Sequence, residues 1–291
     1  MILKIDGLTK TYPNGVKALD RLSIDIKCGM FGLLGPNGAG KSSLMRTIAT
    51  LQSPDAGTIY FDDIDVLQNP MAVRKKLGYL PQEFGVYPKM SAEALLDYLA
   101  ILKGISSAKE RRYRITEVLE ISNLYEVRKK NVDGYSGGMK QRFGIAQLLL
   151  NSPELIIVDE PTAGLDPAER NRFLNVLREI ANENIIIFST HIVDDIKDLC
   201  NDMAIMNHGK ILAKIHPLKA AELIKGKIWT SNIQGIMLEQ SEKNLSVLSS
   251  RFNQDNSVNI RVYADLQPSL DFTSATPNLE DVYFLTLKKA I

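Results

Sequence analysis

The chain has 291 residues, a length that fits one large domain or a main domain with an appendage. Because 45% of the residues are hydrophobic and 24% are charged, it can bury a substantial core. Its formal net charge of +1 argues against a protein that wraps nucleic acid. The two cysteines, Cys28 and Cys200, form no CxxC pair, which argues against a disulfide scaffold and against a zinc site.

The beginning of the chain, MILKIDGLTKTYPNG, lacks the basic and then apolar layout of a signal peptide. No window approaches 18 uninterrupted apolar residues, so we expect no transmembrane helix. The sequence therefore predicts a cytoplasmic protein. If it works at a membrane, it must dock onto another protein that spans it.

Buried strands and helices alternate along the first two thirds of the chain. Three runs are apolar at every position, which is typical of strands buried on both faces: MFGLL (30–34), LIIV (155–158) and IIIF (185–188). Three helical patterns accompany them: 41–51, 91–105 and 167–183. This alternation predicts an α/β fold with a largely parallel sheet.

Between about residues 88 and 135 the pattern is helical, with no convincing strand. Ser107 and Glu110 have the spacing of a capping box that begins a helix. We therefore predict a helical subdomain inserted between two parts of the sheet. Farther along, residues 203–215 predict a hairpin, because two alternating runs flank an Asn-His-Gly turn.

The pattern changes after residue 217. The segments KIWTSNI and VNIRVYADL alternate like strands, and PNLEDVYFLTLKKA predicts a closing helix capped by Asn278. We therefore predict a main domain over residues 1–217 and a small α/β accessory subdomain over residues 218–291.

The stretch GPNGAGKSS has the pattern G-x-x-x-x-G-K-[ST] of a phosphate-binding loop, and it lies between a buried strand and a helix, as such a loop requires. Backbone amides of this loop surround phosphates, Lys41 reaches the β- and γ-phosphates, and the Ser42 hydroxyl binds Mg²⁺. The predicted loop consists of Gly35, Pro36, Asn37, Gly38, Ala39, Gly40, Lys41, Ser42 and Ser43.

Two acids and a histidine follow the predicted strands. Asp159 and Glu160 end the strand LIIV, where the first acid could support Mg²⁺ and the second could take a proton from an attacking water. His191 follows IIIF at the same edge of the sheet, where α/β proteins bind ligands. His208 and His216 lie in a turn and before a proline, so for these we expect structural roles.

Three weaker patterns give further candidates. Gln82 ends a short apolar run and could bind the metal or a water, and Tyr12 could stack on a base, although aromatic residues near turns mostly serve packing. In YSGGM, Ser136 can cap a helix whose first amides, at Gly137 and Gly138, attract an anion. The chain thus has two phosphate-binding patterns, and the second has no lysine.

The order of these motifs over residues 1–217 resembles that of the ATP-binding-cassette (ABC) ATPases. In that resemblance, the loop that starts at Gly35 corresponds to the Walker A motif, and Tyr12 to the aromatic residue that stacks on adenine. The other correspondences are Gln82 to the Q-loop, 135–139 to the signature, Asp159 and Glu160 to the Walker B motif, Asp166 to the D-loop acid, and His191 to the switch histidine.

The resemblance explains the second phosphate pattern. In this family two cassettes pair head to tail, and the signature of each contacts the ATP that the other holds. It implies that Ser136, Gly137 and Gly138 bind the nucleotide of a partner cassette, either a second copy or a paralogue. It also implies ATP and Mg²⁺ as ligands, with Ser42, Gln82 and Asp159 around the metal and with Glu160 and His191 as catalytic residues.

The resemblance further implies an ATPase subunit of a transporter, peripheral on the cytoplasmic face of the membrane and bound to a separate permease near Gln82. Phe84, Val86 and Tyr87 are the docking candidates, and ordinary packing within the helical subdomain is the equal alternative for them. The ending TPNLEDVYFLTLKKA is similar to that of daunorubicin-resistance-type exporters. The alternative is an ABC ATPase that acts on the ribosome or on DNA. The single cassette, the short insertion and the balanced charge argue against it, and we expect no nucleic-acid partner. The signature reads YSGGM where LSGGQ is most common in the family. Because its phosphate-facing Ser-Gly-Gly is intact, we expect hydrolysis to survive.

Overall fold

The computed structural model describes residues 1–82, 84–85, 87–181 and 183–289. The strands are β1 (Ile2–Thr11), β2 (Lys17–Lys27), β3 (Gly29–Leu34), β4 (Ala56–Phe61), β5 (Ile64–Asp65), β6 (Leu77–Leu80), β7 (Leu155–Asp159), β8 (Ile185–Thr190), β9 (Asp202–Asn207), β10 (Lys210–Ile215), β11 (Ile228–Gln234), β12 (Ser246–Phe252), β13 (Ser257–Tyr263) and β14 (Thr273–Ser274).

The helices are α1 (Lys41–Ile48), α2 (Pro70–Lys76), α3 (Ala92–Leu102), α4 (Ala108–Ile121), α5 (Gly137–Leu149), α6 (Pro167–Ile180), α7 (Val193–Leu199), α8 (Pro217–Ala220), α9 (Leu238–Asn244) and α10 (Leu279–Lys289). In the part of the chain that the structure describes, no helix is both long and apolar enough to span a membrane.

A six-stranded sheet forms the centre of the chain, with strand order β10-β9-β3-β8-β7-β6. The pairings from β9 through β6 are parallel, and β10 joins the edge antiparallel. Every residue of β7 and β8 is buried, which explains why these strands are apolar rather than alternating. The parallel α/β fold predicted from the sequence is confirmed, and the carboxyl ends of β3, β6, β7 and β8 meet at one edge.

A second, antiparallel sheet with strand order β2-β1-β4-β5 covers one side of this layer. Its inward side chains pack with residues of β3 and α1, including Phe31 and Leu44, in one apolar cluster. The sequence patterns considered above do not indicate this sheet. Its strands are only half-buried, and irregular register between β1 and β2 interrupts the alternation of apolar residues.

Helices dominate the region between residues 88 and 135, where the sequence predicts a helical subdomain. Helices α3 and α4 form a small core of their own with α5. The Ser107 hydroxyl accepts a hydrogen bond of 3.3 Å from the Glu110 amide and caps α4, as the capping pattern predicts. In the described part of this region, β pairing is limited to one isolated bridge between Ser91 and Asn131.

The predicted hairpin is also confirmed, as β9 and β10. Its two turn residues, His208 and Gly209, have φ values of 45° and 74°. Left-handed backbone at both positions matches the twist of a two-residue hairpin. His208 therefore has the structural role expected for it, as a turn residue.

The C-terminal part contains the antiparallel sheet β12-β13-β11-β14 and the closing helix α10. The Asn278 side chain accepts a hydrogen bond of 2.8 Å from the Asp281 amide, so the predicted cap is present. Helix α10 packs back against the central sheet, because Val282 shares one apolar cluster with Ile196 and Ile205. Residues 218–291 therefore share a core with the rest of the chain.

A salt bridge joins α10 to β13 and provides a test of how this helix is held on the C-terminal sheet. Asp281 is 2% exposed and accepts hydrogen bonds of 2.8 and 2.6 Å from Arg261, which raise the pKa of the guanidinium. Asp281→Asn leaves Arg261 without its counter-charge, and we expect urea unfolding to show a loss of about 2 kcal/mol, less than for a fully buried pair.

The matched control for that variant is Glu239→Gln, which removes an exposed ion pair with Lys243 within α9. Its expected effect is below about 0.5 kcal/mol. Equal losses in the two variants would show that the bridge to α10 does not stabilise the fold.

Candidate functional site

A cleft of about 410 Å³ lies at the carboxyl edge of the central sheet. It brings together the phosphate-binding loop, the aromatic candidate, the glutamine and one acid that the sequence analysis selected. The lining residues are Tyr12, Val16, Ala18, Asn37, Gly38, Ala39, Gly40, Lys41, Ser42, Ser43, Gln82 and Glu160.

The phosphate-binding loop presents the start of α1 to this cleft. Gly40, at the N-cap, has a φ of 104°, and a side chain there would overlap the Ala18 carbonyl. The first turn of α1 contains no acidic residue. Its unpaired amides and the helix dipole therefore favour an anion in the cleft.

Lys41 is 4% exposed and has three oxygen partners. Its ammonium group donates hydrogen bonds to the carbonyl oxygens of Gly35 at 2.7 Å and Pro36 at 3.2 Å. It also forms an ion pair of 3.2 Å with Glu160 Oε1. All three donors of the ammonium are thus directed at oxygens of the chain itself.

The acids at the end of β7 are held by a serine that the sequence analysis missed. The buried Ser189 hydroxyl donates a hydrogen bond of 2.6 Å to Asp159 and accepts one of 3.0 Å from the Glu160 amide. Glu160 has a φ of 45°, and its Oε2 lies 3.3 Å from His191 Nδ1. The pairing of Asp159 with Ser189 across β7 and β8 creates this arrangement, which only the strand register reveals.

Tyr12 is partly buried beside α1. Its hydroxyl lies 3.0 Å from Ser43 Oγ and donates a hydrogen bond of 3.1 Å to Gln52 Oε1. Gln52 in turn donates to the Ser43 carbonyl at 2.8 Å. These bonds hold the phenol at the wall of the cleft, and Gln52, which no motif marks, is part of that support.

Oxygen ligands for Mg²⁺ are present but sparse. Asp159 is 3% exposed, Gln82 is exposed two residues after the end of β6, and Ser42 lies in the first turn of α1. Among the described residues, no group of three or more His, Cys, Asp or Glu side chains could hold a metal. This donor set fits Mg²⁺ that takes most of its ligands from phosphate and water.

The signature residues lie at the start of α5, outside the described lining of the cleft. Ser136 accepts a hydrogen bond of 3.3 Å from the Met139 amide and caps the helix, and both Ser136 and Gly137 are exposed. A side chain at Gly138 would overlap the carboxylate of Glu169 in α6. The signature therefore presents its capped helix start to solvent rather than to the cleft of its own chain.

Asp166, a candidate, and His216, for which a structural role was expected, lie outside the described lining of the cleft. Asp166 caps α6 and accepts a hydrogen bond of 2.9 Å from the Glu169 amide. His216 accepts a hydrogen bond of 3.3 Å from the Leu218 amide at the start of α8, which is a structural role.

Comparison with known proteins identifies a family for this arrangement. The model of the ABC transporter family matches residues 19–163. The uncharacterized ABC transporter ATP-binding protein YxlF of Bacillus subtilis is 38% identical over 213 residues, which are 72% of this chain and 69% of the relative. The daunorubicin/doxorubicin resistance ATP-binding protein DrrA of Streptomyces peucetius is 34% identical over 214 residues, which are 73% of this chain and 64% of DrrA.

A solved structure shows the same fold. The dimeric bacterial ABC transporter cassette MJ0796 matches with a TM-score of 0.67 and 27% identity over 74% of this chain and 98% of that one. The predicted P-loop α/β architecture is thereby confirmed, and the chain belongs to the ATP-binding subunits of ABC transporters.

Proposed function

We propose that this chain binds Mg·ATP in the cleft and hydrolyses it within a dimer of cassettes, to drive export through a separate membrane permease. One observation carries this proposal. The Walker A lysine and Glu160 meet in one cleft, whereas Ser136 and Gly137 of the signature of the same chain face solvent. The chain thus has two half-sites, and a second cassette would complete both.

The cleft has a partner for each part of ATP. The Tyr12 ring would stack on the adenine, and the amides at the start of α1 would surround the phosphates. Ser42, Gln82 and Asp159 would hold Mg²⁺, which neutralises charge on the phosphate oxygens when it is bound.

Lys41 would exchange one anion for another when ATP binds. Its ion pair with Glu160 is buried. Loss of this partner without a replacement would leave a buried charge unpaired and would strongly destabilise the protein. A γ-phosphate oxygen can take the place of the Glu160 carboxylate. The exchange would release Glu160 to accept a proton from a water aimed at the γ-phosphorus, and His191 would contact the γ-phosphate.

The solvent-facing signature supports the proposal of a dimer. Ser136 and the amides of Gly137 and Gly138 would contact the γ-phosphate held by the other cassette, and the dimer would open when hydrolysis removes that phosphate. The relative MJ0796 is dimeric in its solved structure. The partner cassette is either a second copy of this chain or a paralogue.

An exposed apolar stripe in the helical region that follows Gln82 in the chain supports docking to a permease. Tyr98, Ile101 and Leu102 on α3 are 42%, 50% and 64% exposed, and the Tyr87 ring lies edge-on to Tyr98 at 5.9 Å. Contiguous exposed apolar side chains mark interaction surfaces. We call these four residues the α3 stripe.

The other two docking candidates are not part of the stripe. Phe84 is partly buried against the main core and lies close to Gly144 of α5, so it serves packing. Val86 lies outside the described residues. DrrA, whose name assigns it to daunorubicin and doxorubicin resistance, is one relative that favours export. Docking to a permease would place the chain on the cytoplasmic face of the membrane.

Glu160→Gln tests the composite site. The variant keeps the cleft but cannot accept the proton, so we expect ATP to hold it as a dimer in size-exclusion chromatography with light scattering, while hydrolysis falls at least about 100-fold. Adding Lys41→Ala should abolish the dimer. A Glu160→Gln chain that stayed monomeric at saturating ATP, with or without its partner protein, would contradict the proposal.

Ser189→Ala tests the support of the two acids. It removes the hydroxyl that orients Asp159 and Glu160, so we expect kcat for ATP hydrolysis to fall about tenfold with little change in nucleotide affinity. Ser189→Thr keeps the hydroxyl and should retain most of the activity. Unchanged kcat in Ser189→Ala would show that this hydrogen bond does not position the acids.

The α3 stripe can be tested in membranes from the native host. Ile101→Glu and Leu102→Glu should reduce recovery of a multi-span partner that co-purifies with the tagged wild-type chain, because each places a charge in an apolar contact. The exposed Tyr113→Glu on α4 is the matched control, since Tyr113 is 66% exposed and outside the stripe. Equal recovery in all three variants would exclude the stripe as the docking surface.

A further inference from the structure

Two adjacent residues of α6 bind two different functional segments. Glu169 is paired with Arg142 of α5, and its carboxylate lies against Gly138 of the signature. Arg170, the next residue, is paired with Asp195 of α7, with its Nη2 2.5 Å from Oδ1. The first turn of α6 therefore contacts the signature helix through one residue and the helix that follows His191 through the next.

The contact with the signature is tight. Arg142 is 6% exposed, and a single methyl group added to Gly138 would overlap the Glu169 carboxylate. A displacement of the start of α5 must therefore move Glu169, since interiors so packed transmit strain. Within the described structure, Arg142 Nε is buried without a hydrogen-bond partner. The ion pair with Glu169 therefore leaves one donor of the guanidinium unsatisfied.

The contact with α7 reaches both catalytic segments. Asp195 is 1% exposed and accepts hydrogen bonds from Thr162 at 2.9 Å and from Thr190 at 3.4 Å. Thr162 comes two residues after Glu160, and Thr190 directly precedes His191. A shift of Arg170 would therefore move the buried Asp195 carboxylate. Through its bonds to Thr162 and Thr190, that carboxylate would displace the segments that carry Glu160 and His191.

We propose that Glu169 and Arg170 link the signature of this chain to its own hydrolytic site, so that contact with the partner's nucleotide adjusts the position of His191 and Glu160. The link rests on the composite dimer proposed above. Glu169 and Arg170 are positioning residues, because neither lines the cleft among the described residues. The consequence is coupling between the two ATP sites of a dimer: occupation of one site affects hydrolysis at the other.

The test follows amide hydrogen exchange of residues 191–199 when ATP drives the Glu160→Gln chain into its dimer. We expect Glu169→Gln and Asp195→Asn, each added to Glu160→Gln, to form the dimer but to lose at least about half of the ATP-dependent change in exchange. Arg172→Gln is the matched control, because Arg172 is paired with the same carboxylate but is 62% exposed on α6. It should behave like Glu160→Gln alone.

Each outcome decides the proposal. The link would be overturned if the ATP-dependent change in amide hydrogen exchange were equal in all variants. Loss of the dimer in Glu169→Gln would also overturn it, because Glu169 would then be needed for dimer formation itself. Failure of Glu160→Gln to dimerise at all would instead overturn the composite site. The two proposals therefore fail in distinguishable ways.

A double-mutant cycle gives an independent measure with Glu160 intact. If the two ion pairs are parts of one link, Glu169→Gln and Asp195→Asn should each lower kcat about tenfold with little change in KM, and the double variant should be no slower than the slower single one. A decrease in the double variant equal to the product of the two single decreases would show two independent contacts and would contradict the link.

Discussion

The buried ion pair between Lys41 and Glu160 is the interaction on which the rest of the site depends. It joins the loop after β3 to the end of β7, where the two side chains are 4% and 12% exposed. A buried pair is tolerated only when its remaining donors and acceptors are satisfied. The carbonyls of Gly35 and Pro36 satisfy Lys41, and His191 lies beside the other oxygen of Glu160. The chain's own groups thus hold Lys41 and Glu160 together in the cleft.

The topology of the central sheet makes this pair possible. Parallel strands end at one edge, so segments that are more than a hundred residues apart in the chain meet there. Full burial of β7 and β8 gives the acids and Ser189 a rigid base. The signature has a different base, the small core that α5 forms with α3 and α4, and the first turn of α6 bridges the two.

Local patterns predicted much of this structure. The glycines and Lys41 of the phosphate-binding loop, the fully apolar strands and the caps of α4 and α10 each depend on neighbours a few residues away in sequence. The role of Ser189 depends instead on which strands pair and in which register, and that of Gln52 depends on the packing of the segment after α1 against Tyr12, so the sequence alone did not reveal them. The half-buried sheet of β1, β2, β4 and β5 was not predicted, because irregular register interrupts the alternation of apolar and polar residues along its strands.

The most direct measurement is the affinity of the isolated chain for a non-hydrolysable ATP analogue and for ADP, compared between wild type and Glu160→Gln at protein concentrations too low for dimers. If the γ-phosphate replaces the Glu160 carboxylate at Lys41, removing that carboxylate should tighten binding of the ATP analogue about tenfold. This change in affinity corresponds to the free energy that one charge-assisted hydrogen bond contributes. Binding of ADP, which lacks that phosphate, should change much less. Equal changes for the two nucleotides, or weaker binding of the ATP analogue, would contradict the exchange of partners at Lys41.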